Sequence, residues 1–176
     1  MLASVHLATG AAIGKSVRPF WLAAVAAFAS HFVLDFVPHS DTHSLFGGPG
    51  GITRAEVIST LVDVVLGVAL VLWATVARPA RAGRHPGSLS LGTRQPWRRA
   101  AIWAAFAAVV IDLVDNVPPW GPHFQTWAGT AWLSAFHHGI QHNLPRAEWP
   151  LGVAIQLVFL AAALWVIRQR AVPQRG

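Results

Sequence analysis

Four stretches of the chain run apolar for close to the roughly 20 residues a helix needs to cross a hydrocarbon core. They cover about 20–37, 55–77, 100–117 and 149–167. The first and third end alike, in Asp35-Phe36-Val37-Pro38 and Asp115-Asn116-Val117-Pro118. Proline has no N–H to continue a helix and disfavours helical geometry in the residue before it, so both helices are expected to stop there. Trp21 to Pro38 also resembles Ala101 to Pro118 at an offset of 80, a faint internal repeat. A shorter apolar segment, 2–15, predicts an N-terminal helix. Lys15 and Arg18 follow this segment instead of preceding it, which speaks for a retained helix over a cleaved signal peptide. Its His6, Gly10 and Gly14 share a face at a spacing that suits close packing against another helix. After Trp127 a short helix is expected, with Trp132, Ala135 and Phe136 on one side and Ser134, His138 and His142 on the other. The pattern predicts an all-α fold: a polytopic transmembrane bundle of four spans plus the shorter N-terminal helix, one integral membrane domain over 1–176 with a loop at 78–99.

Composition supports this reading. Apolar residues make up 54% of the chain and charged residues only 11%, with a mean hydropathy of +0.48. A soluble domain carries roughly 25% charge, so a water-coated globule is excluded. The net charge of +6 would suit a nucleic-acid binder, but the placement of the basic residues argues otherwise. Eleven of the thirteen precede the first span, lie between the second and third, or follow the fourth, leaving only Arg54 and Arg146 opposite. That is the distribution of cytoplasmic loops in a multi-pass protein, and the expected partner is the lipid bilayer, with no nucleic acid. Tryptophans frame both ends, as interfacial belts do. The seven acidic residues, and every histidine but His85, gather toward the non-cytoplasmic face once the N-terminal helix rises from Lys15. There is no cysteine, so any metal must sit on imidazole, carboxylate or backbone oxygen.

Those acids and histidines carry the candidate chemistry. His31 and Asp35 stand one helical turn apart on one face, as do Asp112 and Asp115. Asp63 lies well inside the second span, on a stripe with Glu56, Thr60 and Gly67. Ionisable groups within a span cost about 2.5–3.5 kcal/mol for aspartate and usually face a site or a partner. Five segments supply such groups at similar depth. The expected ligands of a divalent metal are His6, His31, Asp35, His39, Asp63, Asp112, Asp115, His138 and His142, with His137 beside the last two. Mixed imidazole and carboxylate suit zinc, or manganese or iron where carboxylates dominate. One or two such ions would activate water against an ester or phosphoester. Asp41 and His43, in the loop after the first span, are the expected proton-transfer residues.

His6-Leu7-Ala8-Thr9-Gly10, Ser30-His31-x3-Asp35 and Pro38-His39-Ser40-Asp41-Thr42-His43-Ser44 resemble the bacterial membrane-bound metal-dependent hydrolases described as LexA-regulated inner-membrane hydrolases. That family is grouped with zinc-dependent phospholipase C and S1/P1-type nucleases, where a His-x3-Asp helix supplies metal ligands. The resemblance covers about the first 45 residues. Where the family's proline element has its first acidic residue, this chain has His39. The resemblance implies metal, hydrolysis and an inner-membrane location. The expected activity is therefore hydrolysis of an amphiphilic or lipid-linked ester or phosphoester at the outer face of the membrane. Two rivals use the same residues: an ion or proton transporter with a buried His/Asp relay, and a haem protein using His31 with His138 or His142.

Overall fold

The computed structural model describes residues 1–47, 52–76, 96–117 and 120–169, and every regular element among them is helical. The elements are α1 (Ala3–Ser16), α2 (Phe20–Phe36), α3 (Thr42–Phe46), α4 (Arg54–Val76), α5 (Pro96–Asn116), α6 (Gly121–Thr126), α7 (Ala131–Ile140) and α8 (Trp149–Arg168), with a single 3₁₀ turn at Arg146–Glu148. The four long helices coincide with the four apolar stretches and α1 with the N-terminal segment. α7 is the short helix expected after Trp127. α3 and α6 were not legible as helices. α3 is short and exists largely because Asp41 caps it: its carboxylate accepts from Ser44 N while Ser44 Oγ accepts from Asp41 N. The expected loop at 78–99 lies, over 78–95, outside the described residues.

α1 sits in the middle, packed against α2, α4, α5 and α8. Nine of its 14 residues are buried. A helix can be surrounded this way only if its side chains are small. A Cβ on Gly10 would lie 2.5 Å from the Ala104 carbonyl oxygen and 2.7 Å from Ala108 Cβ. Gly14 meets the Ala100 backbone still more closely. The facing side of α5 is an alanine stripe, with Ala100, Ala101, Ala104, Ala105 and Ala108 all buried. Small residues on both helices bring the backbones together and maximise dispersion contact, the main packing term where the surroundings are as apolar as the side chains. At the end of the bundle where α1 stops, Lys15 Nζ donates to the last carbonyls of α8, at 2.6 Å from Val166 O and 3.0 Å from Ile167 O.

The outer surface is inverted relative to a soluble bundle. α4 and the helical stretch Arg146–Arg168 have mean hydropathies of 2.3 and 2.2, yet only 17% and 22% of their apolar windows are buried. A core helix of a soluble protein with that composition would be mostly hidden. Here Leu61, Val62, Val65, Leu157 and Val158 point outward, each more than half exposed. Two helices are thus long and apolar enough to cross a membrane, and among the described residues their outward apolar faces lack protein cover. α2 is shorter, at 17 residues. α5 carries Arg98, Arg99, Asp112 and Asp115, which lower its hydropathy.

Candidate metal centre

Near the end of the bundle opposite Lys15, α1, α2, α5 and α7 direct imidazoles and carboxylates at one another. α2 supplies His31 and Asp35, 0% and 1% exposed. Their i,i+4 spacing puts His31 Nε2 3.0 Å from Asp35 Oδ2. α1 supplies His6, stacked on the His31 ring with centroids 4.1 Å apart and its Nε2 3.1 Å from Asp35 Oδ1. His6 Nδ1 is buried without a hydrogen-bond partner among the described residues. α5 brings Asp112 Oδ1 to 3.4 Å from His137 Nε2 and 3.7 Å from His31 Nε2. α7 brings His137, whose Nε2 lies 3.1 Å from His31 Nε2 and 3.4 Å from Asp35 Oδ2.

The protons on these rings can be placed by elimination. His31 Nδ1 is 2.7 Å from the Ala108 carbonyl, which can only accept, so Nδ1 carries hydrogen and Nε2 is the nitrogen turned to the centre. His137 Nδ1 is likewise 2.8 Å from Asp115 Oδ2. The Nε2 atoms of both rings therefore face each other across 3.1 Å, an arrangement that needs a proton or a cation between them. Burial alone would hold His137 neutral, but the carboxylates of Asp112, Asp35 and Asp115 outweigh it and raise its pKa to about 10. Without metal, a proton on His137 Nε2 thus occupies the contested space, and a binding cation would displace it.

The dimensions suit an ion. His31 Nε2, His137 Nε2 and Asp35 Oδ2 form a triangle with sides of 3.0, 3.1 and 3.4 Å. Ligands about 2.0–2.1 Å from a tetrahedral zinc ion lie roughly 3.3 Å apart. Asp115, 0% exposed, stands behind His137: Oδ1 accepts from Ser134 Oγ at 2.7 Å, and Oδ2 is 3.2 Å from His138 Nε2. A carboxylate on the far nitrogen of a ligating histidine is the usual device that fixes its tautomer and orientation. Asp115, His137 and His138 also form a second group of donor atoms close enough to share an ion.

His39 flanks the cluster. Its Nδ1 donates to Val37 O at 2.7 Å, and its Nε2 accepts from the Met1 ammonium at 2.7 Å, which also donates to Asp35 Oδ1 at 2.9 Å. Burial, helped by that ammonium, holds the His39 imidazole below its usual pKa. The backbone around it is clamped from two sides. His39 N donates to His142 O and Leu144 N to His39 O, while His142 N donates to Asp35 O. From α8, Gln156 Nε2 donates to Ser40 O at 2.6 Å, where Gly152 leaves room for the approach.

Of the residues expected at the site, the structure thus gathers His6, His31, Asp35 and Asp112, with His39 at one edge and Asp115 and His138 at the other. It does not bring in Asp63, whose carboxylate accepts from Ser4 N at 3.3 Å and serves the N-terminus of α1. Nor does it bring in His142, which lies beyond the end of α7 with its side chain exposed and contributes backbone only. Asp41 is occupied capping α3. His43 is 64% exposed and pairs with Glu56 at 3.0 Å. The central residue of the cluster left out of the expected set is His137. Spacing by four from Ser134 had favoured His138 and His142, but the face of α7 that docks is Ser134 and His137, three apart. Searches against protein-family models, curated proteins and solved structures find no match to this chain, so its own residues carry the functional argument.

Proposed function

We propose that this protein is a multi-pass membrane hydrolase dependent on a divalent metal, held by His31, His137, Asp35 and Asp112, and acting on an amphiphilic or lipid-linked ester or phosphoester. The observation that carries the reading is the opposed pair of Nε2 atoms, both with committed Nδ1 atoms, between two carboxylates. Zinc fits two imidazoles with carboxylate best, with manganese or iron as the nearest alternatives. When bound, the ion would polarise the carbonyl or phosphoryl oxygen and activate water. The chain's residues would do the rest. Asp112, 31% exposed, is the ligand a substrate would meet first. His138, 46% exposed with its Nε2 on Asp115, is placed to exchange protons with solvent. It replaces Asp41 and His43 as the proton-transfer residue.

The relay reading is weaker. Toward the other end of the bundle, the interior between α1 and α5 is Ala8, Ala11, Ala101, Ala104 and Ala105, which offers a proton or ion no next station. For a haem between His31 and His138 or His142, both His31 nitrogens are already engaged, Nδ1 with Ala108 O and Nε2 with Asp35 Oδ2 and His137 Nε2, and His142 lies exposed beyond α7.

Elemental analysis of the detergent-purified protein tests the proposal. About one zinc per chain is expected, with metal-dependent cleavage of a p-nitrophenyl ester or phosphodiester that chelation removes and zinc restores. Protein that takes up no divalent metal on addition would end the hydrolase reading. For topology, cysteines placed at Ser44 and Ser90 should label oppositely with an impermeant thiol reagent in intact cells, Ser44→Cys reacting and Ser90→Cys protected. The reverse pattern would move the centre to the cytoplasmic face.

A further inference from the structure

α7 is built the wrong way round for a helix in water. Its buried residues are both polar, Ser134 and His137. Its two aromatic residues face out, Trp132 at 66% exposure and Phe136 at 50%, while Leu133 and Ile140 are half-buried. An amphipathic helix on a soluble protein buries the aromatic face and shows the polar one. The inversion makes sense only if the medium outside α7 is itself apolar or interfacial.

What joins α7 to the bundle is mostly the centre itself. Ser134 Oγ donates to Asp115, and His137 reaches Asp115, Asp35, Asp112 and His31. The main apolar contact is Phe136 against Phe32, with ring centroids 5.5 Å apart. Trp127, just before α7, continues the outward face at 67% exposure. Phe136 sets this face against α2, on which Val33 and Phe36 are 67% and 69% exposed, so the face of α7 adjoins the outward apolar surface at this end of α2. Indoles at such a boundary favour the level of the lipid headgroups, where an apolar ring and a polar N–H are both satisfied.

Resting on the metal reading above, we infer that α7 is an interfacial lid: its Trp132–Phe136 face seats in the headgroup–acyl boundary of the bilayer while its Ser134–His137 face completes the metal centre. Lipid contact and metal binding are then two loads on one helix. Each favours the seated position, so each strengthens the other. An amphiphilic substrate would arrive from the same boundary that holds the lid.

The chain has no cysteine, so Trp132→Cys gives a single site for an environment-sensitive fluorophore. In phosphatidylcholine nanodiscs, a nitroxide near the lipid headgroup should quench the label strongly and aqueous iodide weakly. Quenching by iodide and not by the lipid nitroxide would overturn the inference, and quenching by neither would point to a protein partner and overturn it equally. The second arm is zinc titration of Trp132→Ser, checked for intact helicity and monodispersity. Trp132 is 66% exposed and takes no part in the Phe136–Phe32 contact, so folding should survive, while zinc affinity in nanodiscs should fall about tenfold. Wild-type affinity in that variant would also remove the coupling. Absence of zinc binding in the unsubstituted protein would instead defeat the metal reading, and the quenching result would stand apart from it.

Discussion

His137→Ala should reduce zinc affinity by more than about 100-fold, above the 10–100-fold that loss of an outer hydrogen-bonding partner costs. The variant removes the nitrogen opposed to His31 and leaves Asp35, Asp112 and Asp115 without the imidazole they share. Asp115→Asn separates position from ligation. Its amide keeps an oxygen to accept from Ser134 or from His137 Nδ1, but it weakens the charge that orients the ring. It should therefore fall within the 10–100-fold range. His123→Ala is the matched control, an exposed histidine on α6 that should leave affinity unchanged. Competition against a fluorescent zinc chelator measures all three. Near wild-type binding by His137→Ala would mean that the ion, if held at all, sits elsewhere.

The helices were legible because their signal is one-dimensional. Apolar length, Asp-x-Val-Pro stops and glycine spacing are properties of contiguous residues, and the long helices fall within a few residues of where these place them. The burial of α1 was only half legible. His6, Gly10 and Gly14 mark one face, but nothing in the chain says that the helix is enclosed by four others. That depends on Ala100 to Ala108 of α5, a stripe whose meaning appears only when it meets Gly10 and Gly14.

The site was legible in membership more than in role. His31 and Asp35 share a turn, so their meeting follows from helix geometry. Asp63 has the same buried, in-span character, yet its partner is the backbone N–H of Ser4, and a donor that every residue carries leaves no mark in a sequence. In α7 the ambiguity was rotational. Spacings of three and four both describe one face, and the choice between His137 and His138 depends on which of them meets Asp35, Asp112 and His31 across the interface. The repeat offset of 80 gains a structural counterpart here. Asp35 and Asp115 occupy equivalent places near the ends of α2 and α5, and each is a buried carboxylate holding histidines from other helices.

Asp35→Ala should destabilise the metal-free protein by about 3–5 kcal/mol, the cost of removing one side of a buried charged network. By transfer cost alone the substitution would help, since an apolar helix entering lipid is relieved of an ionisable group worth about 2.5–3.5 kcal/mol. The two effects act at different stages. Insertion concerns a helix against lipid, whereas folding concerns what Asp35 holds once the helices pack. There its two oxygens serve the Met1 ammonium, His6, His31 and His137, all within 3.4 Å and all enclosed. Without the carboxylate these groups keep their burial and lose a charged acceptor, so α1, α2 and α7 lose one of the contacts that join them. Asp112→Ala makes the contrast. Its side chain is 31% exposed, water can replace it, and its bonds to His31 and His137 are longer, at 3.7 and 3.4 Å. Asp112→Ala should stay within about 1 kcal/mol of the parent, as expected for a partly exposed ion pair, while losing zinc affinity as a ligand variant does. Thermal unfolding in detergent with chelator present reads the first quantity, and zinc titration of the same samples reads the second. Equal stability of Asp35→Ala and the parent protein would show that Asp35 is not the hub that these distances describe.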